Sequence, residues 1–155
     1  MKPYLNKMTN CIFCKIVKGE IPSVKIWEDE KYLAILDKFP NTEGQTVVIP
    51  KEHFSSDVFE LPDEVIKKLM ITTKKVVKLL EKKLNVKRVA MVCEGMGINH
   101  MHVKLYPMHG LKNKFAEIFG GEEKYFEKYP GYITSEMGPE KSIEELNKIA
   151  EKIRN

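Results

Sequence analysis

In the segment Gly95-Met-Gly-Ile-Asn-His-Met-His-Val-Lys-Leu-Tyr-Pro107, polar and apolar side chains alternate. Successive side chains of a strand point to opposite faces, so Ile98, His100, His102 and Lys104 share one face and Met101, Val103 and Leu105 the other. The apolar face reads as core. The polar face holds two of the four histidines in the chain, then a lysine, and follows Gly95-x-Gly97, where backbone N–H groups can approach an anion. That combination points to a phosphate site; the other reading is an exposed strand face that tolerates polar residues.

Outward from this strand, residues 86–93 read as its antiparallel partner, joined to it through Glu94-Gly-Met-Gly97, with Cys93 and Met91 in the core. From Pro62 the period changes to 3.6. Val65, Ile66, Leu69, Met70, Val76, Val77, Leu80 and Leu84 fall on one stripe, Pro62 suits the first helical position, Asp63 and Glu64 favour the positive end of the dipole, and Asn85 closes the helix. This long helix is expected to cover one face of a sheet. Residues 45–50 form the strand before it, after a loop at 39–44, and residues 24–27 and 32–36 form a hairpin turning at 28–30. Ile12, Phe13 and Ile16 have the spacing of one apolar side of a short helix. Downstream, Phe115, Ile118, Phe119, Tyr125, Phe126, Tyr129 and Tyr132 predict aromatic packing up to Gly138-Pro139. Ser142-x-x-Glu145 is a capping box opening a helix with Ile143, Leu146, Ile149, Ala150 and Ile153 on one side.

The fold class that follows is α+β: an antiparallel sheet of about five strands, one long helix, a short N-terminal helix and a C-terminal helical extension. At 155 residues with 43% hydrophobic side chains, the chain suits one domain with an ordinary core. Residues 1–10 are expected to form a loose arm, 11–110 the domain, and 111–155 an extension packed on the domain or a dimer partner. Net charge is +4, with lysine pairs dispersed on the predicted helix instead of gathered into a stripe between aromatic platforms, which argues against a nucleic-acid partner. No apolar run approaches a membrane span and the N-terminal stretch has no apolar signal core, so a cytoplasmic protein is expected. In a reducing compartment Cys11-x-x-Cys14 is better suited to zinc than to a disulfide. Two further ligands are needed, and His53 and His100 are available; the alternative is two reduced thiols packing as small hydrophobes.

The segment 100–107 resembles the motif of the histidine triad (HIT) superfamily, in which three histidines alternate with apolar residues before a proline. His100 and His102 take the first two positions, and Lys104 stands in the third. The resemblance extends over roughly residues 10 to 110, because Cys11-Ile-Phe-Cys14-Lys-Ile, Gly19-Glu-Ile-Pro22, Trp27-Glu-Asp29, Ile35-Leu-Asp37 and Val48-Ile-Pro-Lys-Glu-His53 follow in the family's order. It implies a HIT-like fold, pairing into a homodimer, and a Cys2His2 zinc site of Cys11, Cys14, His53 and His100; without it His53 reads as a surface residue. It also implies a purine nucleotide site in which Ile12, Phe13, Ile16 and Ile35 line the base pocket and Asp37 binds the ribose. The loop after Glu94 is shorter than in many members, so the backbone at Gly95, Gly97 and Ile98 is left to hold the phosphate.

The resemblance makes His102 the nucleophile that forms a nucleotidyl-histidine intermediate. If His100 binds zinc, the metal is structural and fixes the strand that carries His102. Lys104 counts as the second catalytic residue: a fixed cation able to neutralise a phosphate oxygen, but a poor proton shuttle where a histidine would serve. The function expected is hydrolysis at the α-phosphate of purine nucleotidyl conjugates, phosphoramidates or dinucleoside polyphosphates. The alternatives are a nucleotidyl transferase or phosphorylase, and a non-catalytic, zinc-stabilised nucleotide-binding module.

Overall fold

The computed structural model describes residues 10–134 and 139–145. Five strands form one antiparallel sheet: β1 (Lys25–Glu28), β2 (Tyr32–Leu36), β3 (Thr46–Pro50), β4 (Val89–Val92) and β5 (Val103–Pro107), in the spatial order β1-β2-β3-β5-β4. Helix α1 is Ile12–Val17 and helix α2 is Asp63–Lys83. The expected α+β architecture is therefore present. The chain divides after Ala116 into two compact units, and the sheet and both helices belong to the first.

Both faces of the sheet are covered, which explains why β2 and β3 read as continuous apolar runs instead of alternating. Tyr32, Ala34, Val48, Met101, Val103 and Leu105 pack with Leu69, Val76 and Leu80 of α2 in one cluster. Leu33, Ile35, Val47 and Ile49 pack on the other face with Cys11, Phe13, Cys14 and Ile16. Paired residues of an antiparallel ladder share a face, and the pairs Ile35↔Val47, Val47↔Lys104 and Val92↔Lys104 run as one row across the sheet. That row lies on the α1 side. It sets the face on which the polar residues of the motif stand.

The predicted stripe of α2 contacts the core as expected. Pro62, however, is the N-cap and not the first helical residue, its carbonyl accepting from Val65 N and Ile66 N at 2.9 and 3.1 Å. At the far end Leu84 is the C-cap and Asn85 takes φ 52°, a left-handed conformation that asparagine tolerates. Met91 is 48% exposed on β4 at the sheet edge, so it is not core as the sequence predicts, whereas Met70 does pack against the α2 cluster. Strand β5 begins only at Val103. His100 and His102 belong to the irregular segment just before it, where the backbone leaves β3 to meet Phe54, whose carbonyl accepts from Met101 N at 3.1 Å.

In the second unit the expected aromatic packing includes an edge contact between the Phe126 and Tyr132 rings, 5.6 Å between centroids. Ile118, Phe119, Tyr125 and Tyr129 are exposed, as is Phe115 in the first unit. The capping box is made: Glu145 N donates to Ser142 Oγ at 3.2 Å and Ser142 N to Glu145 Oε2 at 2.8 Å. Gly138, Leu146, Ile149, Ala150 and Ile153, and the arm at 1–9, lie outside the described residues. No helix among the described residues is long and apolar enough to cross a membrane.

Leu69 is wholly buried between α2 and the sheet, whereas Ile71 is 58% exposed on the same helix. Leu69→Ala is expected to cost about 2–5 kcal/mol in urea unfolding. Ile71→Ala is expected to stay within about 0.5 kcal/mol of the parent.

Candidate active site and metal centre

Helix α1 starts at the cysteine pair. Cys11 is its N-cap, its sulfur accepting from Cys14 N at 3.4 Å, so the two thiols project together from the first turn. His53 follows β3 and His100 precedes β5, neighbouring strands in the sheet. The donor atoms of Cys11, Cys14, His53 and His100 all lie within 4.8 Å of one another. His100 Nδ1 is 3.3 Å from Cys11 Sγ and 3.5 Å from Cys14 Sγ, and His53 Nδ1 is 3.3 Å from Cys14 Sγ. A tetrahedral ion with bonds of about 2.0–2.3 Å separates its nitrogen and sulfur donors by about 3.3–3.8 Å, so the set fits a closed four-ligand site.

The tautomers agree with that fit. His100 Nε2 lies 2.8 Å from the Pro50 carbonyl, which can only accept; Nε2 therefore carries the proton, and the Nδ1 lone pair faces the sulfurs. Burial lowers the His100 pKa to about 4 against the opposing effect of the Pro50 carbonyl, which keeps the ring neutral as a ligand must be. Burial, followed by the adjacent Cys11 sulfur, pushes the Cys14 thiol up to about 11. A cation among these donors supplies the charge that makes a buried thiolate acceptable.

His102 sits beside this centre, 3% exposed, with the Phe13 ring 5.5 Å from its own and 5.7 Å from that of His100. Its Nδ1 lies 2.7 Å from the His100 carbonyl, so Nδ1 donates and Nε2 is left with the lone pair. Burial lowers its pKa and Lys104 acts in the same direction, while the bond to the His100 carbonyl and the charges of Glu94 and Asp37 oppose.

Lys104 is not a lone cation. Its Nζ donates to Glu94 Oε1 at 2.6 Å, an ion pair largely withdrawn from water. Burial by itself lowers the Lys104 pKa, but the hydrogen bond and charge of Glu94, with Tyr106 and Asp37, outweigh it and hold the ammonium above the ordinary lysine value. Glu94 escapes sequence reasoning because the register of the β4–β5 hairpin cannot be read from a glycine-rich turn. Asp37 follows β2 with both carboxylate oxygens engaged, Oδ1 accepting from Phe39 N at 2.8 Å and Oδ2 from Gln45 Nε2 at 2.7 Å. Gln45, 5% exposed, is a second residue the sequence reading misses.

The other expected pocket residues divide. Phe13, Ile16 and Ile35 are buried in the α1-side cluster, but Ile12 is 43% exposed, so the three helix residues do not share one apolar side. Ile12 faces a cavity of about 410 Å3 that Asn10, Cys11, His53, Gly97, Ile98 and Asn99 also line. Gly95 serves packing: φ is +74°, and a Cβ there would stand 2.7 Å from the Ser56 carbonyl oxygen. Asn99 Oδ1 accepts from Ser56 N at 3.1 Å and Oγ at 3.3 Å, fastening this loop to the segment that follows His53.

The HIT domain family matches residues 18–111. The chain belongs to the HIT family. It is 33% identical over 119 residues to adenosine 5'-monophosphoramidase HNT1 of Saccharomyces cerevisiae, an alignment covering 76% of this chain and 75% of that protein. The structure of a HIT family member from Bacillus subtilis superposes with a TM-score of 0.63 at 29% identity, over 94% of this chain and 95% of the other. A zinc-bound histidine triad family protein from Mycobacterium smegmatis superposes at 0.59 with 30% identity, over 70% and 82%.

Protein purified without chelator is expected to carry about one metal ion per chain by elemental analysis, and Cys14→Ser or His100→Ala to lose it together with thermal stability. Gly95→Ala is expected to cost about 1–3 kcal/mol, because it adds both a close contact and a disfavoured φ; thermal unfolding reads this out.

Proposed function

We propose that this HIT-type enzyme hydrolyses purine nucleotidyl conjugates at the α-phosphate, with His102 Nε2 as nucleophile. The observation that carries the reading is the bond from His102 Nδ1 to the His100 carbonyl, which commits one ring nitrogen and leaves the other free, 5.5 Å ring to ring from Phe13. Nε2 forms a bond to the α-phosphorus as the leaving group departs with its bonding pair. Water then cleaves the nucleotidyl-histidine bond, releasing the nucleoside monophosphate and restoring the imidazole. Lys104 contributes positive charge beside the transferring phosphoryl group. Asp37, oriented by Gln45 and the Phe39 amide, takes the ribose hydroxyls, and Ile12, Phe13, Ile16 and Ile35 flank the base. Gly97 and Ile98 supply backbone N–H groups toward the phosphate, with Gly95 docking their loop on Ser56. The activity named for the yeast relative, an adenosine 5'-monophosphoramidase, supports this substrate class.

The ion held by Cys11, Cys14, His53 and His100 is zinc in this reading, supported by the two-sulfur, two-nitrogen donor set and by the zinc-bound relative from Mycobacterium smegmatis. With four protein ligands it supplies structure and no activated water. It ties α1 to the segments carrying His53 and His100, and through the His100 carbonyl it orients His102. A homodimer in the cytoplasm completes the reading.

Purified protein is expected to release AMP from adenosine 5'-phosphoramidate, and His102→Ala to lose at least about 10³-fold in kcat/KM with unchanged metal content. Intact mass after a neutral quench is expected to reveal an added nucleotidyl group in the parent alone. Turnover that appears only when inorganic phosphate or a sugar phosphate is supplied would replace hydrolase by transferase. AMP binding without turnover under any of these conditions would leave a binding module.

A further inference from the structure

Glu94 stands in the site without a part in the reaction above. Its carboxylate holds Lys104 Nζ at 2.6 Å, and the two side chains keep only 12% and 25% of their exposure. Charge interactions act more strongly there than between groups in open water. The β4–β5 register pairs Val92 with Lys104; Glu94 follows just beyond the end of β4, reaches Lys104 with its carboxylate, and its charge acts on His102. A free lysine here would place a full positive charge beside the reacting phosphorus and favour every additional phosphate on the substrate. Paired with Glu94, its charge is largely offset, and the field around His102 includes a carboxylate as well as an ammonium.

We propose that Glu94 is a specificity-determining residue, selecting nucleotidyl conjugates whose leaving group is an amine over those whose leaving group is a polyphosphate. The proposal rests on the hydrolase reading and names the substrate class within it. As His102 Nε2 bonds to the α-phosphorus, the P–N bond breaks and nitrogen keeps the electron pair. The nitrogen takes a proton from water and departs as an amine, and the hydroxyl of that water resolves the nucleotidyl-histidine bond. Any further protonation of the amine makes it a cation, which a carboxylate attracts. With a polyphosphate the P–O bond breaks instead, and the negative charge gathering on the departing oxygen is repelled by Glu94.

The test compares kcat/KM for adenosine 5'-phosphoramidate and for diadenosine triphosphate in the parent, Glu94→Gln, Glu94→Asp and Lys104→Met. Glutamine keeps the shape and an acceptor for Lys104 but removes the charge. The ratio of polyphosphate to phosphoramidate activity is expected to rise about tenfold in Glu94→Gln, stay near the parent in Glu94→Asp, and fall in Lys104→Met, where the carboxylate is left uncompensated. Because it compares two substrates on one preparation, the ratio does not depend on how much of a variant folds. Equal slowing of both substrates in Glu94→Gln, with the ratio unchanged, would reduce Glu94 to a structural partner of Lys104 and overturn the inference alone. No His102-dependent turnover of either substrate by the parent would overturn the hydrolase reading and the inference with it.

Discussion

One fully buried imidazole joins the parts of this site. His100 spends Nε2 on the Pro50 carbonyl at the end of β3, turns Nδ1 toward the two sulfurs at the start of α1, and offers its own carbonyl to His102. A buried polar ring is tolerated only when its hydrogen-bonding groups are satisfied, and here each partner comes from a different part of the chain. The bonds that make the histidine acceptable inside the protein also fix α1, β3 and the approach to β5 relative to one another. The gathering of four donors able to hold a metal and the orientation of His102 are consequences of the same placement.

Around that point the two faces of the sheet divide the work. The face under α2 is an apolar cluster built from Ala34, Val48, Met101, Val103 and Leu105, with Leu69, Val76 and Leu80 packed on it. The opposite face carries the cysteines, the histidines and the Ile35–Val47–Lys104–Val92 row, beneath a helix of only six residues. So short a helix has little intrinsic stability, and in the proposed zinc centre its two cysteines would provide what propensity does not. The large apolar interface holds the fold, while the smaller face gathers the polar side chains of the candidate site.

Charge near His102 is arranged as a pair instead of a single cation. Lys104 stands where the family motif has its third histidine, and Glu94 comes to it from the adjoining strand end. A lysine held above its ordinary pKa by a carboxylate stays protonated and does not exchange protons near neutrality. Asp37 is restrained in a comparable way by Gln45 and the Phe39 amide, which together fix its carboxylate.

Alternation separated Val103 and Leu105 from Lys104, because side-chain direction in extended backbone depends on parity alone, whereas His100 and His102 lie in the irregular segment before β5 and owe their placement to tertiary contacts. The α2 stripe, the Cys11-x-x-Cys14 turn and the five-strand count were legible for the same kind of local reason. What parity and period could not supply were the partners across the fold. Gln45 at Asp37, Pro50 at His100, Ser56 at Asn99 and Glu94 at Lys104 are separated in sequence by 8, 50, 43 and 10 residues. Met91 looked like core because a strand's apolar residues say nothing about whether the strand lies at an edge, and β4 does. Ile12 looked like its neighbours because spacing gives a helical face but not the surface beneath it. The sequence by itself determined which residues share a face and which chemistry that face could hold; only the tertiary structure decided which charges meet there, since strand order and hairpin register are set by packing between segments distant along the chain.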